Sequence, residues 1–377
     1  MTSVKWKGTK AEKAQAEAFM RRALALARQG MGHTSPNPMV GCVVVQNSVV
    51  VAEGYHERVG DYHAERNALT HCEKDLTDAD LYVTLEPCCH YGKTPPCTEI
   101  IIERGIGRVF VGSLDVNPKV AGRGVKILEA AGIEVVTGIL ETKCRKLNEV
   151  FYHYMTMRTP FVVSKYAMTL DGKIACASGD AKWVSGEASR AQVQRMRKQY
   201  SGIMVGIGTV MADDPMLNCR IEAGVDPVRI VCDSNLHIPL ASRIVQTAGD
   251  IPVIVACTET AAASAKATAL QAAGVTVLPA GDDARVDLNI LMCLLGRREI
   301  DSVLLEGGAT LNAAAFEAGV VNKVVAFIAP KLIGGAAAPP PVGGAGIPCM
   351  ADAIVLTSVE TGRCGDDLWV SGYPDGH

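Results

Sequence analysis

One histidine, two cysteines and one glutamate are spaced so that together they can activate water. Glu65 follows His63 by two positions, and Cys88 and Cys97 lie further on, separated by the eight residues Cys89 to Pro96. An imidazole and two thiolates suit zinc, and three protein ligands leave a fourth position for water, which is the arrangement of catalytic rather than structural zinc. Zinc lowers the pKa of such a water toward neutrality. Glu65 need not bind the metal, and its carboxylate can carry protons between the water and a leaving amine. Cys89 is a rival ligand. Pro87 favours Cys88 at the start of a helical turn, where backbone N–H groups stabilise a thiolate, so the expected ligands are His63, Cys88 and Cys97.

These residues need elements to hold them. Residues 11–28 read as an amphipathic helix ending near Gly30 and Gly32. Two short apolar runs, 40–46 and 49–53, flank Asn47-Ser48 and read as a β-hairpin. Residues 63–72 read as the helix that carries His63 and Glu65, and residues 81–85 as a buried strand delivering Glu86-Pro87-Cys88. Thr98 to Arg104 reads as a helix capped by Thr98 or Thr94, followed by strand 109–112, helix 125–131 and strand 133–137. One further helix is expected over 140–157, broken by Thr159-Pro160. Beyond it the pattern restarts, with strands expected at 161–165, 203–205, 228–231, 253–256, 275–278, 303–305, 324–328 and 368–371, and helices such as 259–273 between them. Residues 334–346, rich in glycine, alanine and proline, read as a surface loop. The alternation gives an α/β protein in two domains, 1–156 and 157–377. No internal repeat relates the halves.

Composition bounds the possibilities. A net charge of −3 and 5% aromatic residues argue against a nucleic-acid groove, which needs a basic surface and stacking rings. Lys5-Trp6-Lys7 reads as a solvated tail. No run reaches the roughly 18 apolar residues of a membrane span, and no signal peptide precedes the first helix. Thirteen scattered cysteines, an odd number, read as reduced thiols, so cytoplasm is the expected location. A structural zinc module is disfavoured because such sites usually have four protein ligands.

His-x-Glu followed by Pro-Cys is the pattern of zinc-dependent nucleobase deaminases, which more often close it with two residues between the thiols. The longer insert here, with Thr34-Ser35-Pro36-Asn37-Pro38-Met39-Val40-Gly41 upstream, makes the N-terminal half resemble the deaminase domain of the bifunctional riboflavin-biosynthesis deaminase–reductases. The second half resembles their reductase domain through residues 165–173 (KYAMTLDGK), 208–215 (GTVMADDP) and 305–311 (LEGGATL). The resemblance implies an N-terminal cytidine-deaminase-like three-layer α/β/α domain and a C-terminal dihydrofolate-reductase-like α/β domain. It also implies zinc and NADPH as cofactors and two consecutive steps on one phosphorylated pyrimidine. Water replaces the 2-amino group of 2,5-diamino-6-(5-phosphoribosylamino)pyrimidin-4-one, and the ribosyl group of the resulting uracil is then reduced to ribityl. The partners so implied are small phosphorylated pyrimidines and further copies of the chain, with no nucleic acid and no membrane.

Carried over position by position, the resemblance implies that Asn37, His90 and Lys93 contact the deaminase substrate. His56 lines the same pocket or lies at the surface. Ala167, Trp183, Thr209, Asp213 and Ser234 are implied as cofactor contacts, and Arg197, Leu217, Arg220 and Glu306 as substrate contacts in the reductase. Lys165, Asp213 and Glu306 are the polar groups expected nearest the ribose, with Lys165 as the catalytic one. No G-x-G-x-x-G follows an early strand, so a Rossmann site is not supported. Gly307-Gly308-Ala309-Thr310 reads either as a helix N-terminus that binds a diphosphate or as a tight turn without a ligand, and the resemblance favours the first. Trp183 is alternatively a core aromatic. The chain departs from the family pattern at Ala181, where a serine is usual, which leaves one hydroxyl contact missing or replaced by backbone. A rival reading keeps the deaminase but makes the second domain non-reducing.

Overall fold

A computed structural model describes residues 8–92, 94–117, 120–282 and 284–375, and the reading of Lys5-Trp6-Lys7 lies outside them. The chain divides into two units, Met1–Met157 and Arg158–His377. The first is built on a five-stranded sheet of β1 (Gly41–Gln46), β2 (Val49–Tyr55), β3 (Asp80–Leu85), β4 (Arg108–Ser113) and β5 (Glu134–Thr137), in the order β2-β1-β3-β4-β5. β1 and β2 form the expected hairpin, with Asn47 and Ser48 at φ 53° and 62°, the left-handed pair that a two-residue turn demands. β3, β4 and β5 run parallel.

Side chains alternate across this sheet. Cys42, Val44, Leu81, Val83, Val109 and Val111 pack with Leu69, Ile101 and Leu128 on one face. Val43, Val45, Tyr82 and Phe110 pack with Met20, Leu24 and Cys144 on the other. Both faces are therefore apolar and both carry helices, which gives three layers. On the first face, helix Ala64–Thr70 lies flush on β2 because Gly54 has no side chain: a Cβ there would meet Ala64 O at 2.6 Å and Ala68 N at 2.5 Å.

The expected single helix over 140–157 is two, Glu141–Leu147 and Glu149–Met157. Buried Asn148 separates them because its side chain is spent elsewhere: Oδ1 accepts from Met39 N–H and Nδ2 donates to Met39 O, both at 2.9 Å. A second expected helix, 259–273, is likewise divided into Glu259–Ala262 and Ala265–Ala272, with Ser264 capping the second piece.

The second unit holds a nine-stranded sheet: β6 (Phe161–Thr169), β7 (Gly202–Gly206), β8 (Val228–Cys232), β9 (Val253–Cys257), β10 (Thr276–Pro279), β11 (Ser302–Leu305), β12 (Lys323–Ala329), β13 (Leu356–Cys364) and β14 (Asp367–Pro374). Their order is β10-β9-β8-β7-β11-β6-β12-β14-β13, parallel from β10 to β12 and antiparallel through β14 and β13. Residues alternate here too, Met204 and Ile230 toward the helix Leu288–Gly296 and Ile203, Val205 and Val231 toward Ile244 and Leu270. β13 was not legible from its residues, since most of it is exposed and lacks an apolar face. Residues 334–346 contain no helix or strand. Among the described residues no helix is long and apolar enough to cross a membrane.

Truncating the Asn148 clamp leaves two backbone groups of Met39 without partners. We expect Asn148→Ala to cost about 1–3 kcal/mol of stability in urea denaturation; an unchanged midpoint would remove the clamp from the account of this fold.

Candidate active sites

In the first unit His63 is the N-cap of helix Ala64–Thr70, Cys97 is the first residue of helix Cys97–Glu103, and Cys88 follows β3. Cys88 Sγ and Cys97 Sγ lie 3.4 and 3.5 Å from His63 Nδ1, and the three donor atoms lie within 4.8 Å of one another. Two sulfurs and one imidazole nitrogen converging so closely fit a zinc ion, with His63, Cys88 and Cys97 as the residues that would hold it. Cys89 is not part of the group.

The structure corrects the expectation for Cys88. It starts no helical turn; the helical N–H group that reaches its sulfur is that of Cys97, at 3.3 Å. Nor is helix Cys97–Glu103 capped by Thr94 or Thr98, because Pro96 stands at the cap and Thr98 is inside. A hydrogen bond from Cys97 holds the Cys88 thiol well below its ordinary range, and the same bond, together with burial, pushes Cys97 up. A cation held by both sulfurs would require both to be thiolates.

Glu65, in the first turn of helix Ala64–Thr70, is 3% exposed. Burial pushes its carboxyl up to about 7, helped by the Cys88 thiolate and opposed by His63. A carboxyl titrating there can both accept and give a proton near neutral pH. His56 is buried beside this group, its ring 5.3 Å from that of His63 and nearly perpendicular to it. His56 Nδ1 faces Tyr62 O at 3.1 Å, so its N–H is donated there, and Nε2 accepts from Asn37 Nδ2 at 3.3 Å. That leaves the Asn37 carbonyl oxygen for another donor. His90 Nδ1 is buried without a protein partner, and Lys93 lies outside the described residues.

Glu86 was missed in the sequence because only its place in the fold reveals its use. Its buried carboxylate accepts from Gly122 N at 2.9 Å, Asp115 N at 3.2 Å and Val125 N at 3.3 Å, tying the loop after β4 to the residue before Pro87. Asp115, held in that loop, is pushed up to about 6 by burial and by Glu86.

In the second unit a cleft of about 1100 Å³ opens at the carboxyl ends of β6, β11, β7 and β8. Chain direction across the sheet reverses between β7 and β11, and such a switch point leaves a crevice where ligands bind. Two helix N-termini meet there, Ile207–Asp213 capped by Gly206 and Ala309–Glu317 capped by Gly308, neither with a side chain on its free N–H groups. Uncapped N–H groups from two helices suit an anion such as a diphosphate. The residues around the cleft therefore fit a dinucleotide cofactor.

Of the residues carried over, Lys165, Ala167, Trp183, Arg197, Thr209, Asp213, Arg220, Ser234, Glu306 and Gly307 to Thr310 all line this cleft, as does Ala181. Leu217 does not: its side chain is buried in the core beside Val210 and Leu236, which leaves only its backbone for a ligand. Trp183 is no core residue, being 61% exposed with the Arg190 guanidinium 4.8 Å from its ring centre.

Comparison with known proteins gives two family matches, the cytidine and deoxycytidylate deaminase zinc-binding region over residues 13–113 and the RibD C-terminal domain over residues 160–370. The chain is 53% identical to the riboflavin biosynthesis protein RibD of Actinobacillus pleuropneumoniae, over 93% of each chain. To that of Escherichia coli it is 38% identical, over 85% of this chain and 89% of the other. It is also similar to a crystal structure of a diaminohydroxyphosphoribosylaminopyrimidine deaminase/5-amino-6-(5-phosphoribosylamino)uracil reductase from Thermotoga maritima. There the TM-score is 0.85 and the identity 36%, covering 96% of this chain and 99% of that one.

Glu306 organises the cleft floor. Lys165 Nζ donates to it at 3.2 Å, and Arg197 donates through Nε at 2.9 Å and Nη2 at 3.2 Å. Burial pushes the Glu306 carboxyl up, but Lys165 and Arg197 overcome this and pull it from 4.5 down to about 2. A lowered carboxyl pKa adds stability in full above 4.5, and that contribution is lost as pH falls toward about 2. Near neutral pH, Glu306→Gln should cost about 3–5 kcal/mol, because two buried cations lose their partner. Urea denaturation of both proteins from pH 5 downward, roughly the acid limb, should show the gap narrowing; a gap that holds constant would refute the charge cluster.

Proposed function

Because this chain belongs to the riboflavin biosynthesis protein RibD family, we propose how its two units deaminate and then reduce one phosphorylated pyrimidine. The observation that carries the reading is the presence of both sites in one chain: the His63, Cys88 and Cys97 triad with Glu65, and a cleft lined by Lys165 and Glu306. The first unit hydrolyses the 2-amino group of 2,5-diamino-6-(5-phosphoribosylamino)pyrimidin-4(3H)-one. The second reduces the ribosyl group of 5-amino-6-(5-phosphoribosylamino)uracil to ribityl.

Zinc held by His63, Cys88 and Cys97 supplies an acidified water for the first reaction. Glu65 takes a proton from the attacking water, gives one to the ring nitrogen and delivers one to the departing amine, roles that its carboxyl, poised at about 7, can alternate between. Asn37, its amide oriented by His56, reads the base edge through its carbonyl oxygen. His90 and Lys93 complete the contacts to the substrate.

NADPH supplies the hydride for the second reaction. The cofactor contacts are Ala167, Trp183, Thr209, Asp213 and Ser234, with Gly307, Gly308, Ala309 and Thr310 offering N–H groups to the diphosphate. Lys165, held at 3.2 Å by Glu306, is the catalytic acid for the opening ribose. Arg197 is already committed to Glu306 and to Asn218 O, so Arg220, at the exposed rim, takes the larger share of the substrate phosphate, with Leu217 contributing backbone. The enzyme works on small molecules rather than nucleic acid, as a homo-oligomer in the cytoplasm; its thirteen cysteines, none of them in a disulfide, favour a reducing compartment.

Two variants separate the sites. Supplied with the diaminopyrimidine phosphate and NADPH, Glu65→Gln should lose ammonia release by at least about 100-fold while keeping its zinc content by metal analysis. Ammonia release at the wild-type rate would sink the assignment of Glu65. Lys165→Ala should still release ammonia but lose nicotinamide absorbance change by a similar factor, and unaltered NADPH oxidation would remove Lys165 from the reaction.

A further inference from the structure

The reductase cleft has two ends. Lys165 on β6, with Glu306 after β11, marks the reacting end, and Gly307 to Thr310 and Gly206 to Thr209 form the middle. The far end follows β8, three strand spacings from β6, or roughly 14 Å at about 4.8 Å each. If the nicotinamide lies by Lys165 and the diphosphate by the two helix N-termini, the adenosine half reaches the end of β8. This step rests on the cofactor reading above.

Besides the exposed Asn235 and His237, which also line the cleft, three polar residues mark that end. Asp233 is 1% exposed, its Oδ2 accepts from the N–H of Ile238 at 2.7 Å, and its Oδ1 is buried without a hydrogen-bond partner. Ser234 follows it, with its carbonyl held by Thr258 N at 3.1 Å and Thr258 Oγ1 at 3.0 Å. Its hydroxyl accepts from Val286 N at 3.1 Å, which fastens the 284–286 segment to the end of β8 and leaves the hydroxyl hydrogen free to be donated. Arg285 is thereby brought to the cleft wall, exposed.

The other cations lining the cleft are spent or elsewhere. Lys165 and Arg197 bind Glu306, Arg190 donates to Ser185 O and covers Trp183, and the backbone of Arg220 is held by Gln194 beside Arg197. Among the described residues, Arg285 is the one guanidinium at the β8 end of the cleft. Asp287, two residues on, caps helix Leu288–Gly296 through Asn289 N and Ile290 N and does not compete for it.

We propose that Arg285, together with the Ser234 hydroxyl, recognises the 2′-phosphate of the adenosine ribose and so makes the reductase choose NADPH over NADH. A guanidinium fork matches phosphate oxygens, and a serine hydroxyl gives a further donor. NADH offers only a 2′-hydroxyl there, which gives the guanidinium no charged oxygens to pair with.

Calorimetric titration of the full chain tests this without turnover. NADPH and NADH are the probes for the whole site, and adenosine 2′,5′-bisphosphate and AMP are the probes for the adenosine end alone. In Arg285→Ala, affinity for NADPH and for the bisphosphate should fall roughly 10- to 100-fold, with NADH and AMP unchanged. Arg285→Lys should recover part of the loss, since a point charge replaces the fork. Because Arg285 is exposed, circular dichroism and the unfolding midpoint should match wild type. Equal weakening of NADPH and NADH, or an unchanged NADPH affinity, would overturn the assignment of Arg285 while leaving the cofactor site standing. A wild-type chain that binds neither dinucleotide would overturn both.

Discussion

Parallel strand pairing is the constraint on which both sites depend. When neighbouring strands run the same way, every segment leaving a strand emerges at one edge, and each following helix presents its N–H groups there. In the first unit β3 delivers Glu86 and Cys88 to this edge and β4 delivers Asp115. In the second, β7, β8 and β11 deliver Gly206, Asp233 and Glu306. Residues far apart in the chain become neighbours because the hydrogen-bond register leaves them no other place. Two different chemistries thus rest on one geometric rule.

The two sites then use buried carboxyls in opposite ways. At Glu65 burial and the Cys88 thiolate raise the carboxyl to about 7 against the opposing effect of His63. Glu306 suffers the same desolvation but lies against Lys165 and Arg197, so it stays ionised and serves as a fixed anchor for two cations. Burial raises both carboxyls; it leads at Glu65, whereas two neighbouring cations overcome it at Glu306. That contrast is the electrostatic form of a division of labour between a group that moves protons and a group that holds others still.

Much of this was legible in the residues. His63, Cys88 and Cys97, whose donor atoms converge, were singled out by type and spacing, and helix Ala64–Thr70 and β3 fell where period and apolar runs put them. What escaped was whatever depends on partners distant in sequence. The break at Asn148 is invisible locally, since the pattern from Leu140 to Met157 is helical throughout and only Met39 explains the interruption. Glu86 looks like a spacer before Pro87 until Gly122 and Val125 fold over it. The sulfur of Cys88 has its helical N–H group from Cys97, nine residues on, and not from its own turn. β13 is mostly exposed and pairs only along one side, so no alternation announces it.

The metal triad, finally, stands on contacts made by residues that carry no chemistry. Helix Ala64–Thr70 and helix Cys97–Glu103 have seven residues each, too few to hold themselves in water, so packing must fix their first residues, or the residue just before them, as ligands. Gly54 lets the first helix touch β2, and at Gly124 a Cβ would meet Pro87 O at 2.2 Å, directly before Cys88. A methyl at either glycine cannot be placed without moving the backbone beside His63 or Cys88. The precision of the zinc site is therefore set by close backbone approach in its supports. The reactive residues alone, at the same spacing on looser elements, would not converge.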